Sequence, residues 1–184
     1  MIRKLPIIPT LVVLAAVAVM VRLGFWQLDR LEEKEALLAR YEAAADSPLI
    51  LSAFPSEPLD NLYRRTPFTC SEVTGWSAVA GRSSSDASGF AHVAQCPEGN
   101  VVIGWSQIPQ EPEWQGGDVT GMIGPSVEIG WRVIADPPLA GLEPNATPDP
   151  NDVPNNHLAY AVQWFFFALT ALVIYILALR RRWR

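Results

Sequence analysis

The stretch LAYAVQWFFFALTALVIYILAL, Leu158–Leu179, holds 22 residues without a charge. As an α-helix it is roughly 33 Å long, enough to cross the hydrocarbon of a bilayer. It ends in Arg180-Arg181-Arg182-Trp183-Arg184. The pattern predicts a transmembrane helix over 157–179 and a basic tail over 180–184. The other end of the chain is similar. Leu5–Val21 is 17 residues without a charge, preceded by Arg3 and Lys4. Arg22 interrupts, and Leu23, Gly24, Phe25 and Trp26 resume the apolar run. An arginine near a helix end can snorkel to the headgroups, and an indole favours the interface, so a first span over 5–26 is expected. A cleaved signal peptide starts in the same way, with Ala16-Val17-Ala18 as a small-residue site. The apolar run continues past that site, which favours a retained span.

Charge is sorted along the 184 residues. Residues 1–28 carry +3 and residues 157–184 carry +4, while 29–156 hold 7 basic and 19 acidic residues, a balance of −12. Lys and Arg in short flanks stay on the cytoplasmic side. Both termini are therefore expected in the cytoplasm (residues 1–4 and 180–184), with the acidic middle outside. With flanks this short, no cytoplasmic output domain is expected. The acidic middle also lacks the basic face of a nucleic-acid binder.

The middle is long enough for one small domain. Asp29–Ala45 has no Gly or Pro, and Leu28, Leu31, Leu38 and Tyr41 recur near helical spacing. This predicts a helical extension over 27–46, broken by Pro48. From Tyr63 the pattern turns to short Val-, Ile- and Trp-rich runs separated by Gly, Pro, Ser and Asn. Trp76–Ala80, Ala91–Cys96, Val101–Trp105, Val119–Ile123 and Val127–Ile134 read as short antiparallel strands of a small sheet or open barrel over 47–136. Prolines 137, 138, 144, 148, 150 and 154 mark an extended, irregular connector over 137–156. The fold class is thus an α+β membrane protein, with two terminal transmembrane helices flanking a small, extracytoplasmic, mainly antiparallel β domain.

Cys70 and Cys96 are 26 residues apart. Outside the cytoplasm a disulfide persists, and both lie on or beside predicted strands, so a cross-strand bridge is expected. Two buried thiols and a copper pair are the other readings, but no Met or His cluster accompanies the thiols. The spacing fits neither a C-x-x-C redox motif nor a C-x-x-C-H haem motif.

The chain has two histidines, too few for a multi-histidine metal site in one copy. His92 with Ser83, Ser84 or Ser85 and Asp86 can be drawn as a triad. Those serines read better as a polar hairpin loop over Arg82–Gly89, and His92 as a structural or surface residue. No phosphate-binding glycine motif is present. His157 differs. It follows Pro154-Asn155-Asn156, a credible N-cap, at the mouth of the second span. His157, Tyr160, Ala161, Trp164 and Ala168 fall on one helix face. A neutral imidazole there can ligate a haem iron, with small and aromatic residues beside it for a flat macrocycle. An interfacial histidine within an aromatic belt is the other reading.

Two motifs carry a resemblance. Leu23-Gly24-Phe25-Trp26-Gln27-Leu28-Asp29-Arg30, followed by Lys34, is similar to the L-G-x-W-Q-x-x-R-x-x-x-K that closes the first span in the surfeit locus protein 1 family, the assembly factors of cytochrome c oxidase. Asn156-His157-Leu158-Ala159-Tyr160-Ala161-Val162-Gln163-Trp164-Phe165 resembles the family's N-H-x-x-Y-A-x-Q-W-F at the start of the second. Tyr63-Arg64-Arg65, Gly104-Trp105 and Ala135-Asp136-Pro137-Pro138 look like weaker landmarks in the family's order. The soluble domain is shorter than is typical. Val102-Ile103 precede Gly104-Trp105 where the family often has Asn-Arg, and the two cysteines are not part of the general pattern.

The resemblance implies a non-catalytic role in haem–copper oxidase biogenesis. The expected role is delivery or insertion of haem a into the catalytic subunit, with subunit I and the haem a synthesis machinery as partners. It makes His157 the candidate axial ligand. Tyr160, Trp164, Trp26 and Arg30 are candidates to line the haem or meet a propionate, and Gln27 with Gln163 is a candidate polar pair between the helices. A scaffold without haem, a two-span sensor and a periplasmic enzyme are the competing classes. With no mitochondrial presequence before the first span, a bacterial cytoplasmic membrane facing an oxidising periplasm is expected.

Overall fold

A computed structural model describes residues 6–183. Residues 1–5, with Arg3 and Lys4 of the expected cytoplasmic start, and Arg184 of the expected tail lie outside the described residues. The chain divides into two units, one made of residues up to Leu37 together with those from Pro154 onward, the other of Leu38–Val153.

The first unit is a pair of helices. Helix α1 runs unbroken over Ile7–Ala45 and helix α2 over His157–Arg182. Both contain windows long and apolar enough to cross a membrane, with mean hydropathy of 2.3 and 2.2. The less exposed residues of α1 recur as Thr10, Val13, Val17, Gly24, Gln27 and Leu31; those of α2 recur as His157, Ala161, Trp164, Ala168 and Tyr175. That three-and-four spacing is the seam of two helices packed side by side. Only Gly24, Ala161 and Ala168 are fully buried. Leu11, Val12, Phe166, Leu169, Ile174 and Leu177 are among the many large apolar side chains left exposed. A helix pair that hides its smallest residues and displays its largest is built for lipid rather than water.

The second unit is a six-stranded sheet: β1 Arg65–Cys70, β2 Gly75–Arg82, β3 Ser88–Cys96, β4 Gly99–Ser106, β5 Gly117–Ser126 and β6 Gly130–Ala135. Their order is β1-β5-β6-β4-β3-β2. All neighbours are antiparallel except β4 and β6, which meet in parallel at Val101–Val133 and Val102–Ile134. The tight β3–β4 turn requires Gly99, whose φ is +146°; the Trp131 ring lies 2.3 Å from where a Cβ would stand. One face of the sheet carries the main core, with Phe68, Ala94, Val101, Ile103, Val119 and Val133 buried and Phe54, Trp76 and Trp131 packed against them. Cys70 and Cys96 form a disulfide within this core, Cα–Cα 5.5 Å.

The structure differs from the sequence expectations at three places. Strand β1 was not expected as a separate run, because Pro67 interrupts it. A proline is tolerated there since β1 is at the edge of the sheet. The expected strand Val127–Ile134 begins instead at Gly130, because Val127–Ile129 form the β5–β6 hairpin turn and Gly130 sits at φ +85°. The proline-rich connector is extended, but it is also tied down. Leu139 N donates to Ile103 O, Glu143 N and Trp105 N exchange bonds with each other's carbonyls, and Ala146 N donates to Arg82 O. It supplies backbone partners to β4 beyond the two residues that β6 reaches.

Candidate functional site

The two motifs at the membrane junctions meet within the helix pair. Gly24 sits against the Phe165 ring so closely that a Cβ would come within 2.6 Å of it. Phe25 stacks edge-on against the same ring at 5.4 Å between centroids. One turn along α1, Gln27 Oε1 lies 2.8 Å from His157 Nδ1. At the far end of the pair Thr10 and Tyr175 share a hydrogen bond between their hydroxyls. At 1.5 Å per residue the Gln27 and Thr10 contacts are about 25 Å apart along α1, so the helices run antiparallel with polar ties near both ends.

The His157 contact has a definite chemistry. An amide oxygen only accepts, so the imidazole donates from Nδ1. A neutral ring with its proton on Nδ1 carries its lone pair on Nε2. His157 is partly exposed and stands at the first residue of α2. Asn156 occupies the N-cap position, but its side chain makes no capping bond; its carbonyl accepts from Tyr160 N.

The other candidates are distributed differently from the sequence expectation. Gln27 pairs with His157, not with Gln163, which is exposed. A pair between the two glutamines requires both on the seam, and Gln163 lies off it. Ala161 and Ala168, expected to leave room for a macrocycle, are 1% and 4% exposed. They form the contact surface of the helix pair. Tyr160 is about half exposed. Trp164 packs edge-on against Phe167 at 6.2 Å, and Trp26 lies beneath the Arg30 guanidinium at 5.9 Å. Arg30 also pairs with Glu33 on its own helix.

The weaker landmarks turn out to be joints of the sheet unit. Arg65 Nη1 donates to Asp136 Oδ2 at 2.7 Å, linking the two outermost landmarks. Tyr63 is buried at φ +66°, and its N–H donates to Ile123 O. Gly104 leaves room for Leu142.

His92 is buried and structural. Its Nε2 lies 2.7 Å from Ser106 Oγ, and Ser106 Oγ donates to Ile108 O. The hydroxyl's proton is thus committed to a carbonyl, so His92 is the donor rather than a base activating that serine. Burial pushes the His92 pKa below its ordinary value. Ser83 is buried in the β2–β3 hairpin, where its hydroxyl accepts from Ser85 N and Ala87 N. It takes no part in a triad with His92. Among the described residues no group of three or more His, Cys, Asp or Glu side chains is placed to hold a metal ion.

The sequence model of the SURF1 family matches residues 14–169, from within α1 to within α2. The chain belongs to the SURF1 family. That family is one of cytochrome oxidase assembly factors rather than enzymes. No curated protein matches the chain. Both junction motifs of this SURF1-family chain lie inside the matched residues, as does the whole sheet unit. The Gln27–His157 bond was missed in the sequence because it depends on the relative rotation of two helices 130 positions apart. The signal that could have found it was there: both residues belong to motifs at the same mouth of the two spans.

Proposed function

We propose that this chain assists the delivery or insertion of haem a into the catalytic subunit of the haem–copper oxidase. In this reading it is a two-span protein of a bacterial cytoplasmic membrane, with both termini in the cytoplasm and the sheet unit outside. Its partners are then subunit I and the haem a synthesis machinery.

The observation that carries the reading is the bond between Gln27 Oε1 and His157 Nδ1. It holds the imidazole in the tautomer whose Nε2 can ligate an iron. Ligating histidines commonly give their other N–H to an acceptor, which fixes the ring and raises its basicity. Haem a enters as cargo, with His157 as its axial ligand. The seam below His157 is closed to it, because Ala161 and Ala168 are already covered. Contacts to the cargo then fall to groups on the outer surface of the pair. Tyr160, Trp26 and the edge of Trp164 supply aromatic surface, and Arg30 supplies a guanidinium for a propionate.

A second reading is favoured by the same bond. An interhelical hydrogen bond in lipid also pins two helices together, as a scaffold without haem requires. Deleting the gene and recording oxidase activity together with the haem a spectrum of the membranes tests the assembly role. Loss of both is expected; an oxidase with normal activity and spectrum would overturn it. Haem content of the purified protein separates the two readings.

A further inference from the structure

The two faces of the sheet are packed differently. Val101 of β4 and Val133 of β6 pair in parallel and face the main core. Side chains alternate along a strand, so the neighbouring Asn100 and Arg132 stand on the other face. That face carries a smaller apolar cluster, with Ala91, Val93 and Val102 buried and Val79 and Ile134 packed against them. A groove of about 490 Å³ stays open on it, lined among others by Ser77, Val79, Val93, Asn100, Arg132 and, from the β5–β6 turn, Glu128. Apolar walls with a few polar groups are the usual make-up of a small-molecule site.

Two opposite charges share this groove without meeting. No ion pair among the described residues involves Arg132 or Glu128. Glu128 Oε2 instead accepts from Asn100 Nδ2 at 2.7 Å. Arg132 is half-buried, and its Nε is shielded from water with no partner. Burial pushes the Arg132 pKa below its ordinary value, and the negative charge of Glu128 opposes that shift. A charge taken from water and left unpaired is costly, and a ligand that supplies its partner offsets the cost.

We propose that the groove binds a small zwitterion with an apolar side chain, of the α-amino-acid type. Its carboxylate accepts from the Arg132 guanidinium where that group lines the groove, in a charge-assisted bond. Its ammonium donates to Glu128, whose Oε1 is not taken by Asn100. Its side chain lies on Val79 and Val93. Glu128 repels a simple anion and Arg132 a simple cation, so the two together select a ligand that carries both charges.

The test uses the full chain in lipid nanodiscs and saturation-transfer NMR, with empty nanodiscs as the blank. The probes are leucine, leucinamide, which lacks the carboxylate, and N-acetylleucine, which lacks the ammonium. Leucine should bind about tenfold tighter than either analogue. Arg132→Gln should bring leucine level with leucinamide, and Glu128→Gln should bring it level with N-acetylleucine. Hydrogen exchange in the strands shows whether each variant keeps the sheet. Glu128 stands in an exposed turn, so its variant decides the matter if Arg132→Gln disturbs the sheet. Equal binding of the three probes overturns the proposal. So does an unchanged preference in Glu128→Gln, or no transfer above the blank at about 10 mM leucine.

Discussion

The helix pair and the sheet unit hold together in opposite ways. The sheet unit has an ordinary core, with Ile103, Val101 and Val133 entirely buried and a disulfide closing it. The helix pair buries a glycine and two alanines and is fixed by two polar contacts and one close approach. In water the first arrangement is stable because it removes apolar surface from solvent. In lipid that driving force is absent, so close packing and interhelical hydrogen bonds carry the specificity. Lesions of the same kind should therefore have different consequences in the two units.

The largest expected effect lies in the sheet. Replacing Cys70 and Cys96 by Ala removes a 26-residue closure. In the chain-entropy model this costs about 3.5 kcal/mol. Hydrogen exchange in the strands of the full chain should speed up accordingly, while α1–α2 distances between spin labels stay the same. Gly24→Ala inverts the comparison. Its new methyl meets the Phe165 ring, and overpacking of this kind costs about 1–3 kcal/mol. The label distances should increase with the strands unaffected, and Phe165→Leu in the same chain should restore much of the spacing.

Gln27→Leu acts more locally. It frees His157 Nδ1 and should weaken haem retention about 10–100-fold, whereas Gln27→Glu, which still accepts, should retain it. The smallest effect is a pH dependence confined to the sheet. His92 is held neutral by burial, so its folded pKa lies below the unfolded one. The unfolded chain then binds more protons between the two values, and stability rises with pH across that window. It is fully present above the unfolded pKa of about 6.5 and falls as pH drops through the folded one. His92→Gln should flatten that slope in unfolding measured across pH 4–8.

What was legible in the sequence follows the same division. Apolar length and charge asymmetry mark both spans, because lipid imposes a length that composition alone reveals. Most strands were legible from runs of branched and aromatic residues. Strand β1 was hidden by Pro67, and the Val127–Ile129 turn was hidden by residues that favour strands. The disulfide needed only that Cys70 and Cys96 fall on strands of one sheet. Contacts between the helices were illegible in detail. A motif shows that Gln27, Gln163 and His157 stand at one level, but not which of them face the seam. Helix rotation decides that Gln27 meets His157 and that Gln163 faces outward.

The central claim rests on His157, and the most direct measurement is the haem absorbance of the protein purified from cells that make haem a. Wild type should carry the haem a spectrum, and His157→Ala should lose it while keeping its strand hydrogen exchange. Equal haem absorbance in the two proteins would contradict ligation by His157.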